Sequence, residues 1–228
     1  MSESCWSVDL GRRDFLETWE LQRRLVEVRQ RDGIPDVLLF VEHPPTYTLG
    51  RSGKREHLLI GEEALAALGA DFIETDRGGD ITFHGPGQVV GYPILDLRRW
   101  APDVHAYLRA LEEVLILALG RFGIVADREA GSTGVWHPGG KIAAIGVRVS
   151  KWVTSHGFAL NVTTDLDYFR RIVPCGIVGR GVCSMARVLE APVSPACVRE
   201  ELSHSFGSVF ARTMKPVAEA DLASVTLP

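Results

Sequence analysis

Cys175, in Ile172-Val-Pro-Cys-Gly-Ile177, and Lys141, in Gly140-Lys-Ile-Ala-Ala-Ile-Gly146, are a thiol and an amine that could each repair the other's weakness. At neutral pH a cysteine is mostly protonated and a lysine is fully charged. An amine partly stripped of water can accept the thiol's proton, while an ammonium that keeps its charge stabilises a neighbouring thiolate. Either way the chemistry is acyl transfer. Pro174 stiffens the backbone before the sulfur and Gly176 frees it afterwards, a geometry suited to presenting a thiol and nearby N–H groups. Lys141 leads into small and apolar residues, which predicts partial desolvation; the alternative is a hairpin-turn lysine in water. Cys5, Cys183 and Cys197 are read as structural, the common fate of free cysteine.

Two histidines compete for the role of base or proton donor. His84 shares the segment Arg77-Gly-Gly-Asp-Ile-Thr-Phe-His-Gly-Pro-Gly-Gln88 with Arg77, and His156 precedes Gly157-Phe-Ala-Leu-Asn161, so a Cys–His dyad rivals Cys–Lys. The seven histidines show no metal-ligand spacing and the four cysteines form no C-x-x-C pair, which argues against a metal site or a disulfide framework. The glycine-rich segment lacks G-x-x-x-x-G-K-[ST] and runs into Ile-Thr-Phe rather than opening a helix, so it does not read as a phosphate loop. Gly78, Gly79 and Gly157 leave space, and Ile81, Phe83, Ile145 and Phe158 supply hydrocarbon. That combination suits close contact with a flat or linear apolar chain.

These residues need a scaffold. A chain of 228 residues, 46% hydrophobic, predicts one domain spanning 1–228 around a substantial core. Its formal charge of −4 is that of an ordinary soluble protein, without a surface devoted to nucleic acid or membrane. The pairs Arg12-Arg13, Arg23-Arg24, Arg98-Arg99 and Arg170-Arg171 are read mainly as solvated faces. The N-terminus lacks the basic and apolar regions of a signal peptide, and the aliphatic run Val114 to Leu119 is too short to span a bilayer. A reducing cytoplasm is the expected compartment.

Strands are predicted at Val8 to Leu10 and Val37 to Val41, with a helix from about Asp14 to Arg31 carrying Phe15, Trp19, Leu21, Leu25 and Val28. Further strands are expected at Phe72 to Glu74, Gln88 to Leu97 and Phe158 to Val162, and Val135-Trp136 pairs with Ile142 to Val149 across a Pro138-Gly-Gly140 turn. Helices are expected at Glu62 to Leu68, Val104 to Phe122 with Glu112-Glu113 off the packed face, Leu166 to Arg170, and Ser194 to about Arg212. The fold class is α+β, a mainly antiparallel or mixed sheet flanked by helices.

Five ordered blocks resemble the lipoyl(octanoyl) transferase family, the octanoyl-[acyl carrier protein]:protein N-octanoyltransferases. They are Glu42-His-Pro-Pro-Thr-Tyr-Thr-Leu-Gly-Arg51, Arg77 to Gln88, Gly140 to Arg148, His156 to Asn161 and Ile172 to Ile177, and they run collinearly from near residue 37 to near residue 178. The resemblance implies that Cys175 carries an acyl-thioester and that Lys141 lowers its pKa. It implies an acyl pocket lined by Arg77, Gly78, Gly79, Asp80, Ile81, Thr82, Phe83, His84, Ala144, Ile145, Gly146, Gly157, Phe158 and Ala159. It also implies a fold shared with biotin and lipoate protein ligases, no cofactor, octanoyl-acyl carrier protein as donor, and as acceptors the lipoyl domains of 2-oxoacid dehydrogenase complexes and the glycine cleavage H protein. Asp80 stands where the family often has Gln and Phe158 where it often has Leu. An ATP-dependent lipoate or biotin ligase, which would not need Cys175, and a non-enzymatic lipoyl-domain or acyl-carrier binding module are the competing readings.

Overall fold

The computed structural model describes residues 3–173 and 181–226. Cys175, with Pro174, Gly176 and Arg180, lies outside the described residues. In chain order the elements are β1 (Glu3–Arg12), α1 (Phe15–Gln30), β2 (Asp36–Glu42), β3 (Thr46–Leu49), α2 (Glu62–Ala67), β4 (Asp71–Glu74), β5 (Ile81–His84), β6 (Gln88–Ile94), α3 (Val104–Arg121), β7 (Asp127–Glu129), β8 (Ser132–His137), β9 (Gly140–Ser150), β10 (Val153–Asn161), α4 (Met185–Leu189), α5 (Pro195–Phe210), β11 (Arg212–Pro216) and α6 (Glu219–Thr226). Eight strands form a sheet in the order β11-β1-β2-β6-β10-β9-β8-β7, and β4-β3-β5 form a second, smaller one. β1 runs parallel to both β11 and β2, whereas β2, β6, β10, β9, β8 and β7 pair antiparallel, so the large sheet is mixed.

Helices cover both faces. Leu38 and Phe40 of β2 point to one core with Leu111 and Leu115 of α3 and Phe206 and Phe210 of α5; Val37, Leu39 and Val41 point to the other with Leu21 and Leu25 of α1. The two-residue pleat therefore splits a continuous apolar run between two buried faces, which is why β2 shows no polar alternation. Each fully buried leucine here contributes about 1.5–3 kcal/mol. A third cluster, including Tyr47, Leu65, Ile81, Phe83 and Ile172, fastens the small sheet to the segment before residue 174. No helix among the described residues is long and apolar enough to cross a membrane.

Asp14 caps α1 by accepting the Glu17 backbone N–H, and Ser194 with Pro195 opens α5 as the sequence predicts. Elsewhere the structure corrects the reading. α5 stops at Phe210 because Ala211 turns left-handed at φ 53° and Arg212 enters β11. Trp19 is only half-buried, while Gln22 and Arg29 lie inside α1's packed face; Arg29 Nε donates to Asp36 at 2.9 Å. Glu112 is 1% exposed rather than on a free face. One carboxylate oxygen accepts the Gly134 N–H at 3.1 Å, and the other meets Arg109 at 2.6 Å and Arg128 at 3.2 Å.

Candidate active site

Central strands β6, β10 and β9, with β5 and the loop 77–80, enclose a narrow cleft of about 80 Å³. β10 brings the walls together, since Phe158 lies opposite both Gly91 of β6 and Ile145 of β9. Gly91 must lack a side chain, because a Cβ there would stand 2.2 Å from the Phe158 ring. Of the residues implied for the acyl pocket, Arg77, Gly79, Asp80, Ile81, Thr82, His84, Ala144, Ile145, Gly146, Gly157, Phe158 and Ala159 line this cleft, and Lys141 joins them. Gly78 and Phe83 do not: Gly78 donates its N–H to Val147 at 2.9 Å, and Phe83 turns to the small core, stacked on Tyr168 at 4.4 Å. Sequence reasoning missed Phe15, Gln88, Tyr92 and Asn161 on the wall. Gln88 and Asn161 end two of the quoted blocks, a signal that could have found them.

Arg77 is buried and braces the loop. Its Nη2 donates to the Thr48 carbonyl at 2.6 Å and the Thr48 hydroxyl at 3.0 Å, and its Nη1 to the Gly78 carbonyl at 3.0 Å. Asp80 accepts the Ile81 N–H at 2.7 Å. Its other oxygen is 2.6 Å from His57 Nδ1, out of line for a hydrogen bond. His57 also accepts the Val173 N–H on its own carbonyl at 2.8 Å.

Lys141 opens β9 with its stem partly buried and its ammonium 5.0 Å from the centre of the Trp136 ring, a cation–π distance. Gly134 makes room for that stem: it sits at φ 119°, and a Cβ there would approach Lys141 Cε to 2.7 Å. The Lys141 N–H donates to the Gly181 carbonyl at 2.9 Å and its carbonyl accepts the Cys183 N–H at 3.0 Å. Both flanks of the stretch 174–180 are thus tied to elements around the cleft, residues 172–173 to 57–58 and residues 181–183 to Lys141.

The histidines differ in what they can do. His84 is enclosed, and burial pushes its pKa down to about 3; His43 is pushed by burial to about 4. His156 sits at φ 55° with Nε2 2.8 Å from Asp76, whose other oxygen is 2.8 Å from Arg148. Burial lowers the His156 pKa, and the hydrogen bond from His156 lowers that of Asp76. Together these describe a neutral ring donating Nε2–H to a carboxylate. The Cys183 thiol donates to the Gly140 carbonyl at 3.2 Å and burial raises its pKa to about 11, while burial raises Cys5 further; neither is a thiolate at neutral pH.

The sequence profile described as the lipoyl protein ligase A/B catalytic domain matches residues 14–207. An octanoyltransferase of Solibacter usitatus (strain Ellin6076) is 51% identical over 215 residues, covering 94% of this chain and 97% of its own length. One from Flavobacterium johnsoniae is 53% identical over 193 residues, 78% of this chain and 83% of that protein. Among solved structures, a lipoate-protein ligase A bound with ATP superposes with a TM-score of 0.77 at 15% identity, covering 99% of this chain and 93% of that one. The biotin protein ligase of Aquifex aeolicus superposes at 0.51 and 11% identity, over 92% and 70%. At those identities the two ligases speak for the fold alone.

Proposed function

The chain belongs to the lipoyl protein ligase A/B catalytic-domain family, and from that premise we propose that it transfers an octanoyl group from an acyl carrier thioester to the lysine amine of a lipoyl domain, through a thioester on Cys175. The observation that carries this reading is the apolar cleft with Lys141 on its wall. Burying the six methylenes of an octanoyl chain is worth about 5 kcal/mol, enough to hold the acyl group through two chemical steps.

In the first step the Cys175 thiolate attacks the octanoyl carbonyl on the carrier's phosphopantetheine. A new C–S bond forms, the old one breaks, and the carrier sulfur leaves with its electron pair, taking the Lys141 proton to depart as a thiol. In the second, the acceptor lysine amine attacks, the amide bond forms, and sulfur leaves with its electron pair. Lys141, left neutral by the first step, accepts the nitrogen's surplus proton and so regains its charge beside the thiolate, while N–H groups near Gly176 and Ile177 meet the oxyanion. Thioester exchange is nearly balanced, and thioester to amide runs downhill. The acceptors are lipoyl domains of 2-oxoacid dehydrogenase complexes and the glycine cleavage H protein. Arg170 and Arg171, with Arg180, steer the acidic carrier; Arg170 is 83% exposed beside Asp167.

Mixing the enzyme with octanoyl-acyl carrier protein and a lipoyl domain, without nucleotide, tests the proposal. The lipoyl domain should gain one octanoyl mass. Transfer only from free octanoate with ATP would favour the ligase reading, and transfer by a Cys175→Ser variant at the normal rate would remove the thioester.

A further inference from the structure

We infer that His84 presents a bare Nε2 as a fixed hydrogen-bond acceptor to the amine entering the cleft, and so serves the second half of the reaction rather than acting as a base or donor toward sulfur. The role rests on the acyl transfer proposed above; the tautomer on which it depends does not.

The direction of every hydrogen bond behind His84 is set by a backbone carbonyl. The Cys183 carbonyl can only accept, so the group 3.1 Å from it is the Asn161 amide nitrogen, Nδ2. Asn161 Oδ1 is then the acceptor 2.9 Å from Gln88 Nε2, which also donates to the Phe83 carbonyl at 3.1 Å. The remaining Gln88 atom is Oε1, an acceptor, and it lies 2.8 Å from His84 Nδ1. Nδ1 therefore carries the ring's proton. A neutral imidazole has one, so Nε2 keeps its lone pair.

Neighbouring groups leave that arrangement no escape. Burial first, then the nearness of His43 and of the Arg77 guanidinium, opposes a second proton on His84. Tyr92 cannot donate to the ring: the His43 Nδ1–H donates to the Arg13 carbonyl at 2.8 Å, so His43 Nε2 accepts the Tyr92 hydroxyl proton at 2.8 Å. The ring is held flat against Phe15, with centroids 5.8 Å apart and planes 20° apart. Nε2 has no hydrogen-bond partner among the described residues, and His84 lies on the cleft wall.

An unprotonated ring nitrogen cannot stabilise an oxyanion, which needs a donor. It suits an attacking primary amine, whose nitrogen becomes cationic as the C–N bond forms and whose N–H groups then donate strongly. His84 takes no net proton; the surplus proton goes to Lys141 and the sulfur leaves with the C–S electron pair. The first half-reaction brings no N–H group, so His84 adds only packing there.

The tautomer is read first, in the unmodified protein, by nitrogen NMR with ¹⁵N-labelled histidine. His84 should show a protonated Nδ1 and a bare Nε2 throughout pH 5 to 9; a protonated Nε2, or an imidazolium signal, overturns the inference. Rapid-quench mass analysis then separates the halves, using octanoyl-acyl carrier protein and a lipoyl domain. In His84→Phe, transfer to the lipoyl domain should slow by about ten- to a hundredfold more than acylation of Cys175 slows. Gln88→Met, which keeps the ring but releases Nδ1, should give a weaker form of the same split, with both variants checked for an unchanged far-ultraviolet spectrum. Equal slowing of both halves, or unslowed transfer, overturns the assignment. Absence of acyl-enzyme in the unmodified protein counts against the acyl-transfer reading, and against this role with it, while the tautomer is decided separately.

Discussion

Replacing Gly91 with alanine should narrow the cleft by displacing Phe158. A Cβ at Gly91 would lie 2.2, 2.6 and 2.7 Å from three carbons of that ring, whereas ordinary contact begins near 3.4 Å. The ring must therefore withdraw by 3.4 − 2.2, about 1.2 Å, or β6 and β10 must part. Since Phe158 lies on the cleft wall, withdrawal takes space from the acyl chain. Overpacking of this kind costs about 1–3 kcal/mol, which in a domain of this size lowers Tm by about 2–12 °C. The assay is transfer to a lipoyl domain from hexanoyl and octanoyl carriers, beside a thermal melt. kcat/KM should fall more for octanoyl than for hexanoyl. Phe158→Ala alone should cost about 3–5 kcal/mol by opening a cavity, and adding it to Gly91→Ala should recover about 0.5–3 kcal/mol of the sum, because the clash is gone. Additive losses with an unchanged chain-length preference would refute the packing argument.

Glu112→Leu leaves the Gly134 N–H without its acceptor, while the exposed Arg109 turns to water and Arg128 keeps Glu113, and should destabilise by about 1–3 kcal/mol in urea titrations, with Glu112→Gln milder because it still offers Gly134 an acceptor. His43 and His84 have folded pKa values of about 4 and about 3, below the unfolded 6.5, so between these limits the unfolded chain binds more protons. Their contribution to stability is complete above pH 6.5 and is lost as pH falls to about 4 for His43 and about 3 for His84, with a slope approaching ~2.7 kcal/mol per pH unit that His84→Phe should roughly halve. Association with an acidic acyl carrier should slow as salt rises, and Arg170→Ala with Arg171→Ala should flatten that dependence; stopped-flow rates insensitive to both would remove the steering role.

Much of the scaffold was legible because local signals agreed with the tertiary ones. Asp14 and Ser194 begin α1 and α5 with side-chain caps, and the α3 periodicity matches the face it buries. The β9–β10 turn was hidden: Lys151 and Trp152 both adopt positive φ, at 49° and 67°, without the Asn-Gly or Gly residues that usually mark such turns. β11 pairs with β1 across most of the chain, so nothing near either strand announces it. Glu112 deceived for a related reason. Its charge reads as solvent-facing, and only the return of β8 and Arg128 supplies the partners that let it be buried. At the site, residue types pointed to Lys141, His84 and the glycine-rich wall. The direction of the Asn161-Gln88-His84 hydrogen bonds required atoms, since three separate segments must meet before any proton can be placed.

The covalent intermediate is the claim on which the mechanism turns, and intact-mass analysis of the enzyme mixed with octanoyl-acyl carrier protein, followed by peptide mapping, tests it most directly. The account predicts one octanoyl adduct on the peptide containing Cys175, none on the buried Cys183, and none in Cys175→Ser. An unmodified enzyme that still octanoylates lipoyl domains, or an adduct that persists at full yield in Cys175→Ser, would contradict it.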